Sequence, residues 1–166
     1  MNKAAPRGPS VRPRALRFSP VGTVRSPFKN PEDLPPPRFA SPGFFAKARG
    51  EIVLRDEFAP ALDGLEGFSH IIVLFVFHRS FGSGLKVIPP GEEKPRGVFA
   101  TRSPHRPNPL GMSVLRLLGR EGPRLQVSGL DMIDGTPVLD IKPYTGRDRK
   151  SRIRTGWLRE RPPRNR

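Results

Sequence analysis

Short runs of apolar and β-branched residues are the main structural signal in this sequence. The clearest run is "HIIVLFVFH" (70–78), whose seven consecutive apolar residues predict a strand buried on both faces. Strands are also predicted for "VGTVR" (21–25), "EIVLRDEF" (51–58), "MSVLRLLG" (112–119), "RLQVSGLD" (124–131) and "TPVLDIKPY" (136–144). The connection "REGP" predicts a hairpin between the third and fourth of these, and "DG" predicts the turn before the last.

Helical signals are scarce. The stretch "PALDGLEGF" (60–68) predicts only one or two helical turns, and Gly and Pro together make up 39 of 166 residues. This pattern predicts an all-β protein with one or two short helices, built as a small barrel or sandwich around 71–77. We predict one domain over 16–157, with a polar, Pro-rich arm (1–15) before it and a basic tail (158–166) after it.

Positive charge changes the picture of the two ends. The net charge is +15 and the isoelectric point is near 11.6, which indicates a polyanionic partner. Residues 1–50 hold ten Lys or Arg against two acids, and 145–166 hold nine against two, whereas 51–144 hold eleven of each. Basic ends of this kind either contact nucleic-acid phosphates or are simply solvated, and the composition leaves both interpretations open.

Several classes of protein lack their usual marker here. There is no cysteine, and the three histidines do not have zinc-site spacing, so we expect neither a disulfide framework nor a metal site. No G-x-G-x-x-G follows a predicted strand, and no P-loop, G-x-S-x-G or H-E-x-x-H motif occurs. No apolar run is long enough for a membrane helix, and the N-terminus has no secretory apolar region. We therefore expect a cytoplasmic protein.

The loop 101–112 carries the first candidate site. Arg102 and Arg106 present guanidinium groups that bind phosphate or carboxylate in a bidentate manner. Three prolines fix the backbone and reduce the entropy lost on binding, while Asn108 adds a donor and an acceptor. The alternative is a Pro-rich connection whose arginines pair with nearby acids.

The second candidate site is the stretch 130–135. Asp131 and Asp134 bracket a turn, and the backbone of 130–134 offers groups that could hold an amino acid or an adenosine moiety. The same residues are equally consistent with a simple hairpin turn at Asp134-Gly135.

Polar residues also alternate along the last predicted strand. Asp140, Lys142 and Tyr144 should lie on one side of it. His78, at the exit of the apolar strand, is either a ligand contact or a cap of a core strand.

Four long segments, in this order, resemble a known family. They are "VGTVRSPF", "GLEGFSHIIVLFVFHR", "GVFATRSPHRPNPLGMSVLRL" and "GLDMIDGTPVLDIKPY", and together they run from Val21 to Tyr144. The chain resembles the YaeB-like tRNA methyltransferases, which act on N6-threonylcarbamoyladenosine at position 37. The resemblance implies a single small β-barrel rather than a Rossmann fold, S-adenosylmethionine as cofactor, the tRNA anticodon loop as partner, and a homodimer.

The resemblance also implies which residues contact the cofactor. One contact is a turn after the first strand, where Phe39 stands in place of the family's glutamine. The remaining contacts come from three other parts of the chain. The implied set is Pro37, Arg38, Phe39, His78, Arg79, Arg102 and Met112, with the backbone of Leu130, Asp131, Met132, Ile133 and Asp134.

The implied chemistry suggests further roles. The N6 atom of the modified adenosine is a weak nucleophile, so a group that accepts its proton would help, and Asp134, Asp140 and Tyr144 are the candidates. The threonyl carboxylate needs a cation, for which Arg106 and Lys142 are suited, with Asn108 and Tyr144 as further substrate contacts. Two rival hypotheses are an RNA-binding barrel without catalysis and a methyltransferase with a different acceptor.

Overall fold

The barrel is formed by six antiparallel strands. The computed structural model describes residues 16–35 and 43–160. The strands are β1 (Gly22–Arg25), β2 (Arg49–Leu54), β3 (His70–Val76), β4 (Lys86–Val87), β5 (Arg96–Gly97), β6 (Leu110–Glu121), β7 (Arg124–Ser128) and β8 (Pro137–Pro143). The closed barrel has the order β1-β2-β7-β6-β3-β8, while β4 and β5 form a separate two-stranded sheet. The predicted all-β barrel is therefore confirmed.

Helices are short. The described residues contain one α-helix, α1, which spans Phe44–Lys47. The 3₁₀ helices are Pro31–Asp33, Asp56–Leu62, Leu65–Gly67, Val98–Ala100, Gly146–Asp148 and Gly156–Glu160. In the described part of the chain, no helix has both the length and the apolar character needed to cross a bilayer.

Strand β3 pairs with both β6 and β8, and the burial of its residues alternates with a two-residue period. Ile71, Val73 and Phe75 are buried in the barrel, whereas the intervening Ile72 and Leu74 are only partly buried. The prediction of burial on both faces was therefore wrong. The outer-facing residues of β3 are less buried because a single closed sheet has its core only on the inside.

Two sequence boundaries also differ from the prediction. The strand predicted over 51–58 ends at Leu54, and the chain then enters the 3₁₀ helix Asp56–Leu62. The hairpin between β6 and β7 is confirmed, but only Gly122 and Pro123 lie between the two strands, with Gly122 at φ 56°. A positive φ at this position favours glycine.

The arm and tail fall largely outside this description. Residues 1–15 of the arm lie outside the described residues, as do 161–166 of the tail. The 3₁₀ helix Gly156–Glu160 crosses the predicted boundary at 157. The division into arm, domain and tail stays a prediction.

Candidate functional site

One end of the barrel, which we call the site end, collects loops from all six strands. The strand register places the last residues of β1, β3 and β7 there, beside the first residues of β2, β6 and β8. Antiparallel neighbours alternate in direction, so segments distant in sequence meet at this end. Most residues predicted to contact the cofactor lie in these segments.

The loop 101–109 is attached to the segment that follows β3. The amide of Phe77 donates to the carbonyl of Pro109 (2.8 Å), and Ser80 Oγ is hydrogen-bonded to His105 Nδ1 (2.9 Å). On the other side, the indole N–H of Trp157 donates to the carbonyl of Ala100 (2.8 Å). Sequence reasoning missed Ser80 and Trp157, because neither lies in a periodic or charged pattern.

Arg102 and Asp131 form the polar part of the site end. Ser113 Oγ donates to Asp131 Oδ1 at 2.6 Å. Desolvation raises the pKa of Asp131, although the Ser113 hydrogen bond and the charge of Arg102 oppose the rise. Arg102 itself is exposed and forms no ion pair with an acid in the described part of the chain. Its guanidinium group is therefore available to an anionic ligand.

His78 and Arg79 follow β3 directly. Arg79 Nη1 donates to the carbonyl of Lys29 (3.1 Å) and to Asn30 Oδ1 (3.3 Å). Partial burial lowers the pKa of His78, and the neighbouring Arg79 charge lowers it further. The lowered pKa favours the neutral imidazole, which can both donate and accept a hydrogen bond.

The stretch 130–133 is buried except for Asp131, which is exposed. Leu130, Met132 and Ile133 are only 0, 2 and 8% exposed and belong to the buried interior. The amide of Leu130 donates to the carbonyl of Ala48 (3.3 Å), which fixes the start of the stretch. The contact between this backbone and the cofactor stays a prediction.

Asp134 connects this stretch to the loop after β1. The amide of Ser26 donates to Asp134 Oδ1 (2.9 Å), and Lys29 Nζ lies 2.9 Å from Oδ2. The Ser26 hydrogen bond is the main cause of the lowered pKa of Asp134, and Lys29 lowers it further. Its carboxylate is therefore a weak base with a structural role. An open cleft beside it is lined by Arg25, Ser26, Pro27, Lys29, Arg49, Gly50, Glu51 and Asp134.

The remaining predicted contacts in the loop 101–112 are two substrate residues, Arg106 and Asn108, and one cofactor residue, Met112. Arg106 Nη1 donates weakly to the carbonyl of Thr101 (3.5 Å), and its guanidinium carbon lies 6.0 Å from the ring centre of Phe99. Asn108 is exposed. Met112 lies on β6 and is exposed on the outer face of the barrel. Arg106 therefore makes two weak contacts within its own loop.

The predicted group on β8 extends away from the site end. Lys142 Nζ lies 2.5 Å from Asp140 Oδ2, which confirms that these two side chains share one side of the strand. The amide of Tyr144 donates to the carbonyl of His70, at the start of β3. Val76 lies six positions after His70 along β3, which corresponds to roughly 20 Å. The structure therefore does not bring Tyr144 to the site end within one chain.

Two further points complete the description of the site. The predicted contacts Pro37, Arg38 and Phe39 lie outside the described residues. Among the described residues, no group of three or more His, Asp or Glu side chains is arranged to hold a metal ion.

Comparisons with known proteins identify relatives. The family model described as tRNA-methyltransferase O N-terminal domain matches residues 23–148. A probable S-adenosyl-L-methionine-binding protein of Pyrococcus abyssi is 44% identical over 149 residues, which cover 89% of this chain and 79% of that protein. The tRNA (adenine(37)-N6)-methyltransferase of Escherichia coli is 44% identical over 140 residues, covering 78% of this chain and 58% of that protein.

A solved structure from the same family of relatives is also similar to this chain. The crystal structure of TrmO from Pseudomonas aeruginosa matches with a TM-score of 0.70 and 41% identity, covering 86% of this chain and 62% of that one. The chain thus spans less than two thirds of that protein and of the Escherichia coli relative. The resemblance seen in the four sequence segments is confirmed, and the chain belongs to the tRNA-methyltransferase O N-terminal domain family.

Proposed function

We propose that this protein is an S-adenosylmethionine-dependent methyltransferase that acts on N6 of adenosine 37 in the tRNA anticodon loop. The proposed acceptor is the threonylcarbamoylated form of that adenosine, and the proposed location is the cytoplasm, where we expect this substrate. The main support is that Arg102, Asp131 and the 130–134 backbone belong to segments that meet at one end of the barrel, where β6, the strand that carries Met112, begins. Relatives named as binding proteins for this cofactor and as tRNA methyltransferases agree with it.

The residues at the site end have the chemistry that the cofactor needs. Arg102 offers a guanidinium group for the carboxylate of its amino-acid moiety. Asp131 offers an acceptor for an ammonium or a ribose hydroxyl, and the exposed side chain of Met112 offers an apolar contact for the adenine. When bound, the cofactor supplies an electrophilic methyl group on a sulfonium.

The outer face of the sheet supplies candidates for the acceptor. Met112 lies opposite Leu74 on β3, and Leu74 lies opposite Asp140 on β8. Opposed residues of an antiparallel pair project to the same face, and two strand spacings correspond to about 10 Å. We therefore favour Asp140 over Asp134 and Tyr144 as acceptor of the N6 proton. Arg106 and Lys142 remain the candidate cations for the threonyl carboxylate, and the forked geometry of a guanidinium favours Arg106.

Methylation of tRNA in vitro tests the proposal. We expect the purified protein to bind S-adenosylmethionine in a calorimetric titration. With tRNA carrying threonylcarbamoyladenosine, mass spectrometry of the nucleosides should show the gain of one methyl group, which unmodified tRNA should lack. Cofactor binding without this product would indicate a different acceptor. RNA binding without cofactor binding would indicate a non-catalytic barrel.

We further propose that the protein is a homodimer, formed through an apolar patch on the outer face of β3 and β6. On β6, Leu110, Met112 and Val114 are 49, 53 and 44% exposed, so this dimer would place the proposed adenine contact of Met112 at the interface between the two copies. Their opposed partners on β3 are Val76, Leu74 and Ile72. An apolar patch of this kind, bordered by the polar pair Asp140 and Lys142, is typical of an interaction surface. A second copy of the chain is the partner implied by the family resemblance.

Replacing Val114 with glutamate should disrupt this dimer. An unpaired carboxylate inside the interface should weaken association roughly 100-fold, because a charge buried without a partner is strongly unfavourable. Sedimentation equilibrium over a range of protein concentrations measures the change. The control is Gln126→Glu, at an exposed position on β7, which should associate like the wild type. A wild-type protein that is monomeric at every concentration contradicts the proposal.

A further inference from the structure

A second polar pocket lies at the end of the barrel opposite the site end. It is lined by Ser69, His70, Tyr144, Thr145, Gly146 and Arg149. Two of the four family-like segments meet here, through "GFSH" at the start of β3 and "KPY" at the end of β8. The proposed methyl transfer uses none of these six residues.

Two aromatic rings form one wall of this pocket. The rings of His70 and Tyr144 have centroids 6.3 Å apart and an interplanar angle of 60°. The amide of Tyr144 donates to the carbonyl of His70 (3.0 Å), and Ser69 Oγ is hydrogen-bonded to His70 Nδ1 (2.9 Å). Both residues are only partly buried. The rings are thus held in place while part of their surface faces solvent.

Exposed arginines lie beside the rings. They are Arg149, which lines the pocket, Arg116, which lies opposite His70 on β6, and Arg147, which lies in the turn just after Tyr144. None of them forms an ion pair with an acid in the part of the chain that the structure describes. Asp148 accepts hydrogen bonds from the amide and hydroxyl of Thr145 (2.7 and 3.0 Å), which stabilise the turn carrying Arg147 and Arg149.

We infer that this pocket and its cations, which we together call the distal surface, bind a single-stranded segment of the tRNA substrate. An exposed aromatic face beside unpaired arginines has the chemistry for stacking a base and contacting the adjoining phosphates. The inference rests on the proposed function, because it assigns this second surface to the same tRNA. The cations alone would fit any polyanion, whereas the fixed rings favour a nucleic acid.

Substitution of Tyr144 tests the stacking contact. The affinity of Tyr144→Leu for unmodified tRNA, measured by fluorescence anisotropy, should fall about 5- to 100-fold. Tyr144→Phe keeps the ring and should bind like the wild type, and thermal unfolding identifies any variant that fails to fold. Affinity for inorganic polyphosphate should not change in Tyr144→Leu. An equal loss for polyphosphate and tRNA would overturn the stacking role.

Substitution of the arginines tests the phosphate contacts. The double variant Arg147→Ala/Arg149→Ala should reduce the slope of log affinity against log salt by about 1.5, as expected for two lost contacts to single-stranded phosphates. The control Arg55→Ala removes an exposed arginine that pairs with Glu57 and should leave the slope unchanged. Cofactor affinity should stay the same in all these variants, because the distal surface lies away from the site end.

The possible failures can be told apart. If the wild type methylates tRNA but the Tyr144→Leu and double-arginine variants bind tRNA as tightly as it does, the distal surface is not an RNA contact and the proposed function stands. If the wild type binds neither the cofactor nor tRNA, both proposals are wrong.

Discussion

Replacing Gly50 with alanine is expected to destabilise the barrel by about 3 kcal/mol, at the upper end of the usual range for overpacking. A Cβ atom at this position would lie 2.3 Å from the carbonyl oxygen of Arg25 and 2.5 Å from Cδ1 of the buried Leu130. The first of these atoms is backbone in the neighbouring strand β1, so the strand itself must shift. Because Leu130 opens the 130–134 stretch, cofactor affinity should fall as well.

Urea unfolding measures this effect as a lower midpoint with a similar slope. Gly67→Ala is the matched control, since a Cβ there would meet no atom within 4 Å and its φ is not positive. The control should unfold within about 1 kcal/mol of the wild type. Equal midpoints for the two variants would contradict the close approach of β1 and β2 at Gly50.

Arg102→Lys is expected to weaken S-adenosylmethionine binding by about 1–3 kcal/mol, the usual range when a charge-assisted hydrogen bond is lost. Lysine keeps the charge but loses the planar, forked donor geometry. Calorimetric titration measures the loss directly. Fold stability should change little, because the Arg102 side chain is exposed and forms no ion pair with the described acids.

Arg106→Lys is the control for position within the same loop. Its guanidinium group contacts the carbonyl of Thr101 and lies near the ring of Phe99, and it is the predicted partner of the substrate carboxylate. This variant should retain cofactor affinity and lose single-turnover methylation of threonylcarbamoylated tRNA. If both variants bind and methylate like the wild type, the loop 101–112 is a structural connector.

Local pattern was enough to predict most strands. β3 follows from its run of seven apolar residues, and the β6–β7 hairpin follows from its turn residues. Both signals act over a few neighbouring positions. The strand predicted over 51–58 failed beyond Leu54, because the apolar residues there pack from a 3₁₀ helix instead. Burial on both faces of β3 failed because a run of apolar residues does not reveal how many layers the fold has.

The site was less predictable, because its geometry depends on register. The pairing of β8 with β3 shifts at a bulge, where Leu74 opposes Asp140 and Phe75 opposes Val138. Charge and spacing alone grouped Asp140 and Tyr144 as one candidate set. Only the register shows that Tyr144 reaches the opposite end of the barrel. The contacts of Asp134 with Ser26 and Lys29 likewise join distant segments that no local pattern connects.

Closure of the barrel also determines when the site can form during folding. Gly22 in β1 pairs with Val138 in β8, and the hydrogen bond between Ser26 and Asp134 spans 108 positions. Contacts between such distant residues carry a large loop-closure entropy and slow the folding of β proteins. A growing chain on the ribosome therefore lacks an assembled site end until β8 has emerged and paired with both β1 and β3.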